Sequence, residues 1–148
     1  MLPQAKAYRI SKDEKYIQSW IETYSDWLAT YPYEPGTQFP PAGGSENDKD
    51  YEWKGLQVAE RVLSQIDIMA YFIHSPNFTP EWLSTFLTAF EKEVECMRLN
   101  YYQEGNILLT QAQAVATAGI LMPEFKNAEQ WTNPGLKKVG VQLHEQFN

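Results

Sequence analysis

Asn106, Thr110, Gln113 and Thr117 follow one another at steps of four, three and four in the Ala- and Leu-rich stretch GNILLTQAQAVATAGIL. On a helix of ~3.6 residues per turn this spacing places all four side chains on one face. The stripe carries amides and hydroxyls and no charge. A face turned to bulk water usually carries Lys or Glu. An uncharged ladder suits a sheltered cleft, where each group donates or accepts a hydrogen bond to a polar ligand. The competing reading is that hydrogen bonds between helices satisfy these groups. Pattern alone leaves both open. The other residues with chemical potential are sparse. Cys96 is the single cysteine and reads as a small buried hydrophobe. His74 and His144 are the only histidines and lie too far apart for a metal-ligand spacing, so neither a metal nor a cofactor is expected.

The elements that must position the stripe are helical. Ser11 and Glu14 have capping-box spacing, and Ile17, Trp20, Ile21, Tyr24, Trp27, Leu28 and Tyr31 then repeat at three and four. A first helix is therefore expected from Ser11 to Tyr31, stopped by Pro32. The segment YPYEPGTQFPPAGGSENDKD is expected to be a long loop. A second helix is predicted from Asp50 to His74, with a polar stripe of Gln57, Glu60, Ser64, Asp67, Tyr71 and His74 beside Arg61. Thr79 and Pro80 suit the N-cap and first position of a third helix. The fourth runs from Asn106 to Leu121 and is closed by Pro123. A short turn of helix is expected over 124–131, and a last helix starts afresh with Asn133 as cap and Pro134 at its first position. Asn148 reads as a possible cap with nothing after it. Strand-like alternation is absent. The fold class is all-α, built from antiparallel helix pairs.

Length and charge bound the partners. With 148 residues, 43% hydrophobic and 14% aromatic, the chain can build one core without disulfide or metal. Its net charge of -7 disfavours nucleic acid and anionic membrane surfaces. No apolar run approaches the ~20 residues of a membrane span, and the N-terminus lacks a signal-peptide apolar core.

Two stretches carry a family resemblance. GNILLTQAQAVATAGILMPEFKNAEQW resembles the heparinase II/III-type polysaccharide lyases in its Gly-Asn helix start, Gln-Ala run, Ala-Gly pair, Pro-Glu-Phe-Lys and Trp. Upstream, WKGLQVAERVLSQIDIMAYFIHSPNFTPE is similar to the same family's Trp, Arg-Leu and helix-to-helix pattern. The likeness runs from Trp53 to Asn148 and is strongest where the Gly-Asn head and the Pro-Glu-Phe-Lys segment occur together.

The resemblance implies part of an α/α toroid and a β-eliminating reaction on an acidic, uronate-containing polysaccharide of the heparin and heparan sulfate class. In that chemistry a base removes the sugar C5 proton, and donors that neutralise the adjacent carboxylate help it to delocalise the developing charge. Asn106 matches the position of such an amide. Its place at a helix head, where free N–H groups and the dipole favour an anion, is consistent with that role. Arg61 is a second candidate, a cation near the cleft that could meet sulfate or carboxylate, or else a helix-surface ion-pair partner of Glu60 or a neighbour. Trp53 and Tyr71 could stack on sugar rings, or else pack in the core. Gln113 is a weaker candidate further along the stripe. Glu124 and Phe125 read as structural. The acid/base Tyr and the His expected of the family should lie beyond Asn148. The chain is thus expected to be one helical domain over residues 1–148, the opening of a larger toroid, inactive alone and partnered by the rest of its own chain. The resemblance also implies that the protein is periplasmic or secreted. Two other readings are a non-catalytic carbohydrate-binding domain and a helical-repeat interaction protein.

Overall fold

The computed structural model describes residues 1–33 and 51–147. Every long element among them is an α-helix: α1 (Leu2–Ser11), α2 (Lys15–Thr30), α3 (Gly55–Phe72), α4 (Pro80–Leu99), α5 (Gly105–Leu121) and α6 (Ala128–Phe147), with a 3-10 turn at Tyr51–Trp53. No strand occurs among the described residues. Most of the expected Pro- and Gly-rich loop, the predicted start of the second helix at Asp50, and Asn148 lie outside the described residues.

Helices α4 and α5 begin close to where local chemistry puts them, whereas α3 starts at Gly55, after the separate 3-10 turn and an extended Lys54, and not at Asp50. The Thr79 hydroxyl accepts the Trp82 N–H at 3.2 Å, with Pro80 in the first turn, so one orphan donor of α4 is capped and one is absent.

The N-terminal region differs from expectation. Two helices replace one, because Lys12 adopts a left-handed conformation (φ 56°) that ends α1. Ser11 closes α1 instead of opening a helix: its hydroxyl donates to the Ala7 carbonyl and accepts the Asp13 N–H. Glu14 takes no part in a capping box. Its carboxylate accepts hydrogen bonds from Ser75, Asn77 and Tyr8, tying the start of α2 to the α3–α4 turn.

The C-terminal region also differs. One helix runs through Pro134, where a break and restart were expected. Proline removes one backbone donor, leaving the Gln130 carbonyl without its helical partner. Both residues are exposed, so water can replace that bond. The next residue, Gly135, is buried against α5 and holds the helix in line.

Two kinds of packing make the core. Between α2, α3 and α4 it is aromatic. The fully buried Trp20 ring meets Tyr24, Phe72, Phe78, Trp82 and Phe86, all within 6.0 Å between centroids. Truncating a buried Trp of this kind costs ~3–5 kcal/mol. Between α5 and α6 the contact is close and built on small residues. A Cβ on Gly119 would lie 2.6 Å from the Ala128 carbonyl oxygen, and one on Gly135 would lie 2.9 Å from the Ala116 nitrogen. Phe125 plugs the junction, its ring 5.9 Å from Phe90 and 5.1 Å from Trp131.

Candidate functional site

The head of α5 is set by glycine and by an amide from α6. Gly105 has φ 82°, which a side-chain-bearing residue adopts only under strain. Its N–H donates to Gln142 Oε1 at 3.1 Å. Gln142 is itself buried and donates through Nε2 to Glu145. Asn106 follows with its side chain exposed and no hydrogen-bond partner among the described residues.

The stripe lies on the outer face of α5. Asn106 and Gln113 are exposed, and Thr110 and Thr117 are half-buried. The Thr110 hydroxyl donates to its own helix, at the Asn106 carbonyl. Among the described residues, neither the sheltered cleft nor the interhelical ladder that the pattern left open is formed. The buried amide of α5 is Gln111. Its Oε1 accepts the Tyr102 N–H at 2.9 Å and its Nε2 donates to the Asn100 carbonyl at 3.2 Å. It shares a face with Leu108, Ala112 and Val115, a register that marks it as inward-facing.

Arg61 and Trp53 are brought together. The Arg61 guanidinium lies 4.2 Å from the Trp27 ring centroid and 5.4 Å from that of Trp53. Arg61 Nε pairs with Glu93 at 3.0 Å and Nη1 donates to the Glu52 carbonyl, while Nη2 is buried without a hydrogen-bond partner. The alternative of a surface ion pair with Glu60 is therefore replaced by a buried one with Glu93, 32 residues away on α4. Glu93 also accepts from Tyr24 and Gln65. Burial pushes its carboxyl above the usual range, opposed by Arg61 and these hydrogen bonds. Burial likewise raises Tyr24.

Trp53 is 8% exposed, with Trp27 and Tyr33 rings 5.8 and 5.5 Å away. It lines a cleft of about 430 Å³ between α2 and α4, walled by Trp27, Tyr31, Tyr33, Thr85, Thr88, Lys92 and Glu93. Tyr71 is elsewhere, half-buried near the far end of α3 with the Arg9 guanidinium 5.5 Å from its ring centroid. A second cleft, of about 520 Å³, lies beside the α5 head among Gln103, Glu104, Leu108, Lys137, Lys138 and Gln142. A third is lined by Gly119, Pro123 and Thr132. None of these three clefts is lined by Asn106, Gln113 or Tyr71.

Comparison with known proteins places this arrangement. The chain is 47% identical over 147 residues to a heparin-sulfate lyase of Bacteroides thetaiotaomicron, covering 99% of this chain and 20% of that protein. It is 31% identical to the heparin-sulfate lyase of Pedobacter heparinus, again over 20% of its length. The fold superimposes on a crystal structure of heparinase III with a TM-score of 0.85 at 46% identity, covering 98% of this chain and 21% of that one. It matches the heparan sulfate lyase HepC of Pedobacter heparinus with a TM-score of 0.82 at 31% identity, covering 97% and 21%. The chain thus spans about a fifth of the length of these relatives, and its helices form part of an α/α toroid. Residues 1–148 match the family described as Heparinase II/III N-terminus, and the chain belongs to that family.

Proposed function

We propose that this chain is the N-terminal helical domain of a longer lyase that cuts a uronate-containing polysaccharide, of the heparin and heparan sulfate class, by β-elimination. The observation that carries the reading is the likeness along the whole chain, in sequence and in fold, to heparin-sulfate lyases. In the reaction a base takes the C5 proton of the uronate. The C5–H electron pair becomes the C4=C5 double bond, the C4–O bond breaks, and the leaving oxygen takes a proton. The barrier is the weak acidity of C5, which falls when donors neutralise the adjacent carboxylate.

Asn106 is proposed as one such donor. It is exposed, its side chain is uncommitted among the described residues, and it follows a helix head held by Gln142. No Tyr or His contacts it among the described residues, so base and acid must come from the rest of the protein, and the chain alone is expected to be inactive. A second reading is favoured by Asn106 lying outside the three clefts: the carboxylate is then met by a different part of the longer protein, and this domain is a scaffold with a sugar-binding surface. Trp53 would belong to that surface at the cleft between α2 and α4, with Arg61, paired to Glu93, behind it. Tyr71 and Gln113 are weaker substrate contacts, one half-buried under Arg9 and one exposed but outside the clefts.

The natural partner of the domain is the rest of its own chain. Leu136, Leu143 and Phe147 share one face of α6 and are 50%, 43% and 80% exposed, which suits coverage by further helices. A protein acting on such a polymer is proposed to be periplasmic or secreted. Following the ultraviolet absorbance of the new double bond with Asn106→Ala in the longer protein separates the two readings. A loss of ~10²–10³ in turnover supports Asn106 as donor. Unchanged turnover assigns the carboxylate elsewhere.

A further inference from the structure

We infer that the cleft between α2 and α4 is a sugar subsite, taking one anionic pyranose unit of a polysaccharide and anchoring the polymer without reacting with it. The inference rests on the polysaccharide reading above and goes beyond it in naming a site, its ligand and its chemistry.

The cleft has the size for this. About 430 Å³ falls within the ~300–1,000 Å³ of small-ligand sites. One side is aromatic and continuous. The Trp27 ring lies 5.8 Å from Tyr31 and 5.8 Å from Trp53, and Trp53 lies 5.5 Å from Tyr33. The C–H faces of a pyranose pack on such rings, and the aromatic wall is amphipathic at its Tyr and Trp tips.

The opposite side is polar in a specific sense. The Thr85 hydroxyl donates to the Glu81 carbonyl and the Thr88 hydroxyl donates to the Ser84 carbonyl. Each hydroxyl proton is thus committed to its own helix, and the oxygens are left to accept. They suit sugar hydroxyls, which donate. Lys92, one turn beyond Thr88 on α4, supplies an exposed cation for a carboxylate or sulfate. Glu93 also lines the cleft, but Arg61 neutralises it at 3.0 Å. Behind the rings, buried Arg61 Nη2 has no acceptor among the described residues. Aromatic faces, acceptor oxygens and a rim cation together fit an anionic sugar better than an apolar ligand or a peptide.

The test uses the ¹⁵N-labelled 148-residue chain, a heparan-sulfate-derived tetrasaccharide and a neutral control, cellotetraose. The indole N–H signals of Trp27 and Trp53 should shift saturably with the anionic sugar while that of Trp131 stays still, and cellotetraose should bind more weakly. Lys92→Gln should weaken binding roughly two- to five-fold, as expected for one exposed charge pair. Thr88→Val, which keeps the side-chain shape, should also weaken it. Still indoles at millimolar sugar, or wild-type affinity in both variants, overturn the subsite. Failure of the lyase reading is seen separately: the longer protein would then leave the polymer uncut, whatever the indoles do.

Discussion

The indole N–H of Trp131 on α6 donates to the Glu95 carboxylate on α4 at 2.6 Å, joining the two helices. Burial pushes Glu95 up, but hydrogen bonds from Arg98, Trp131 and Asn127 outweigh it and hold the carboxyl below the usual range. A carboxyl lowered in the fold contributes stability above its unfolded pKa and loses it as pH falls through the folded one. Trp131→Phe should therefore cost about 2 kcal/mol at neutral pH from the charge-assisted bond, plus a pH-independent cavity cost. The gap to wild type should begin to narrow as pH falls below the ordinary Glu range and close only as it passes through the lowered value Glu95 has in the wild-type fold. Urea melts across pH 3–7 measure it; a gap constant with pH contradicts this role.

The Arg61–Glu93 pair should be asymmetric under mutation. Glu93→Gln leaves a buried guanidinium without its counter-charge and should destabilise by about 3–5 kcal/mol. Replacing both partners, Arg61→Met with Glu93→Leu, should cost much less, because no charge is left stranded. Equal losses in urea titrations of the single and double variants would show that the pair matters by shape and not by charge.

Two glycines of α6 should respond with opposite signs. A Cβ on Gly135 would lie 2.9 Å from the Ala116 nitrogen and 3.1 Å from the Ala112 carbonyl oxygen, both backbone atoms. Gly135→Ala should push α6 off α5 at a cost of about 1–3 kcal/mol. A Cβ on Gly140 meets nothing within 4 Å. Gly140→Ala should stabilise by about 0.5–1 kcal/mol through helix propensity. Thermal melts of the two variants side by side check this.

Gly105 is required for its backbone and not for space. A side chain there would meet nothing within 4 Å, but φ is 82°. Gly105→Ala should cost about 1–2 kcal/mol, and Gly105→Asn less, since Asn tolerates left-handed backbone. Equal melting temperatures for the two would contradict the strain argument.

The helix registers of α3, α4 and α5 were legible because each has a broad apolar repeat and clear stop signals, such as Thr79-Pro80 and Pro123. Helix α1 was not, since its ten residues bury only Ala5 and Tyr8. Pro134 was misleading because its lost hydrogen bond faces water, which local rules cannot foresee. On α5 the polar stripe was correctly placed on one face, but that face is the outer one, and the amide that matters to packing is Gln111. The Arg61–Glu93 pair could not be read at all. Its partners are 32 residues apart and meet only through the α3–α4 packing. Residue type points to Arg61 and Trp53, and the fold sets them side by side, but only Trp53 lines the cleft between α2 and α4; Arg61 lies behind it on Glu93, and Asn106, Gln113 and Tyr71 lie elsewhere.

The central claim is that these helices are the opening of a uronate lyase and complete no active site alone. Heparan sulfate incubated with the 148-residue chain, and with the longer protein that contains it, should give conjugated-uronate absorbance only with the longer protein. Absorbance from the short chain, or none from a folded longer protein, would contradict the account.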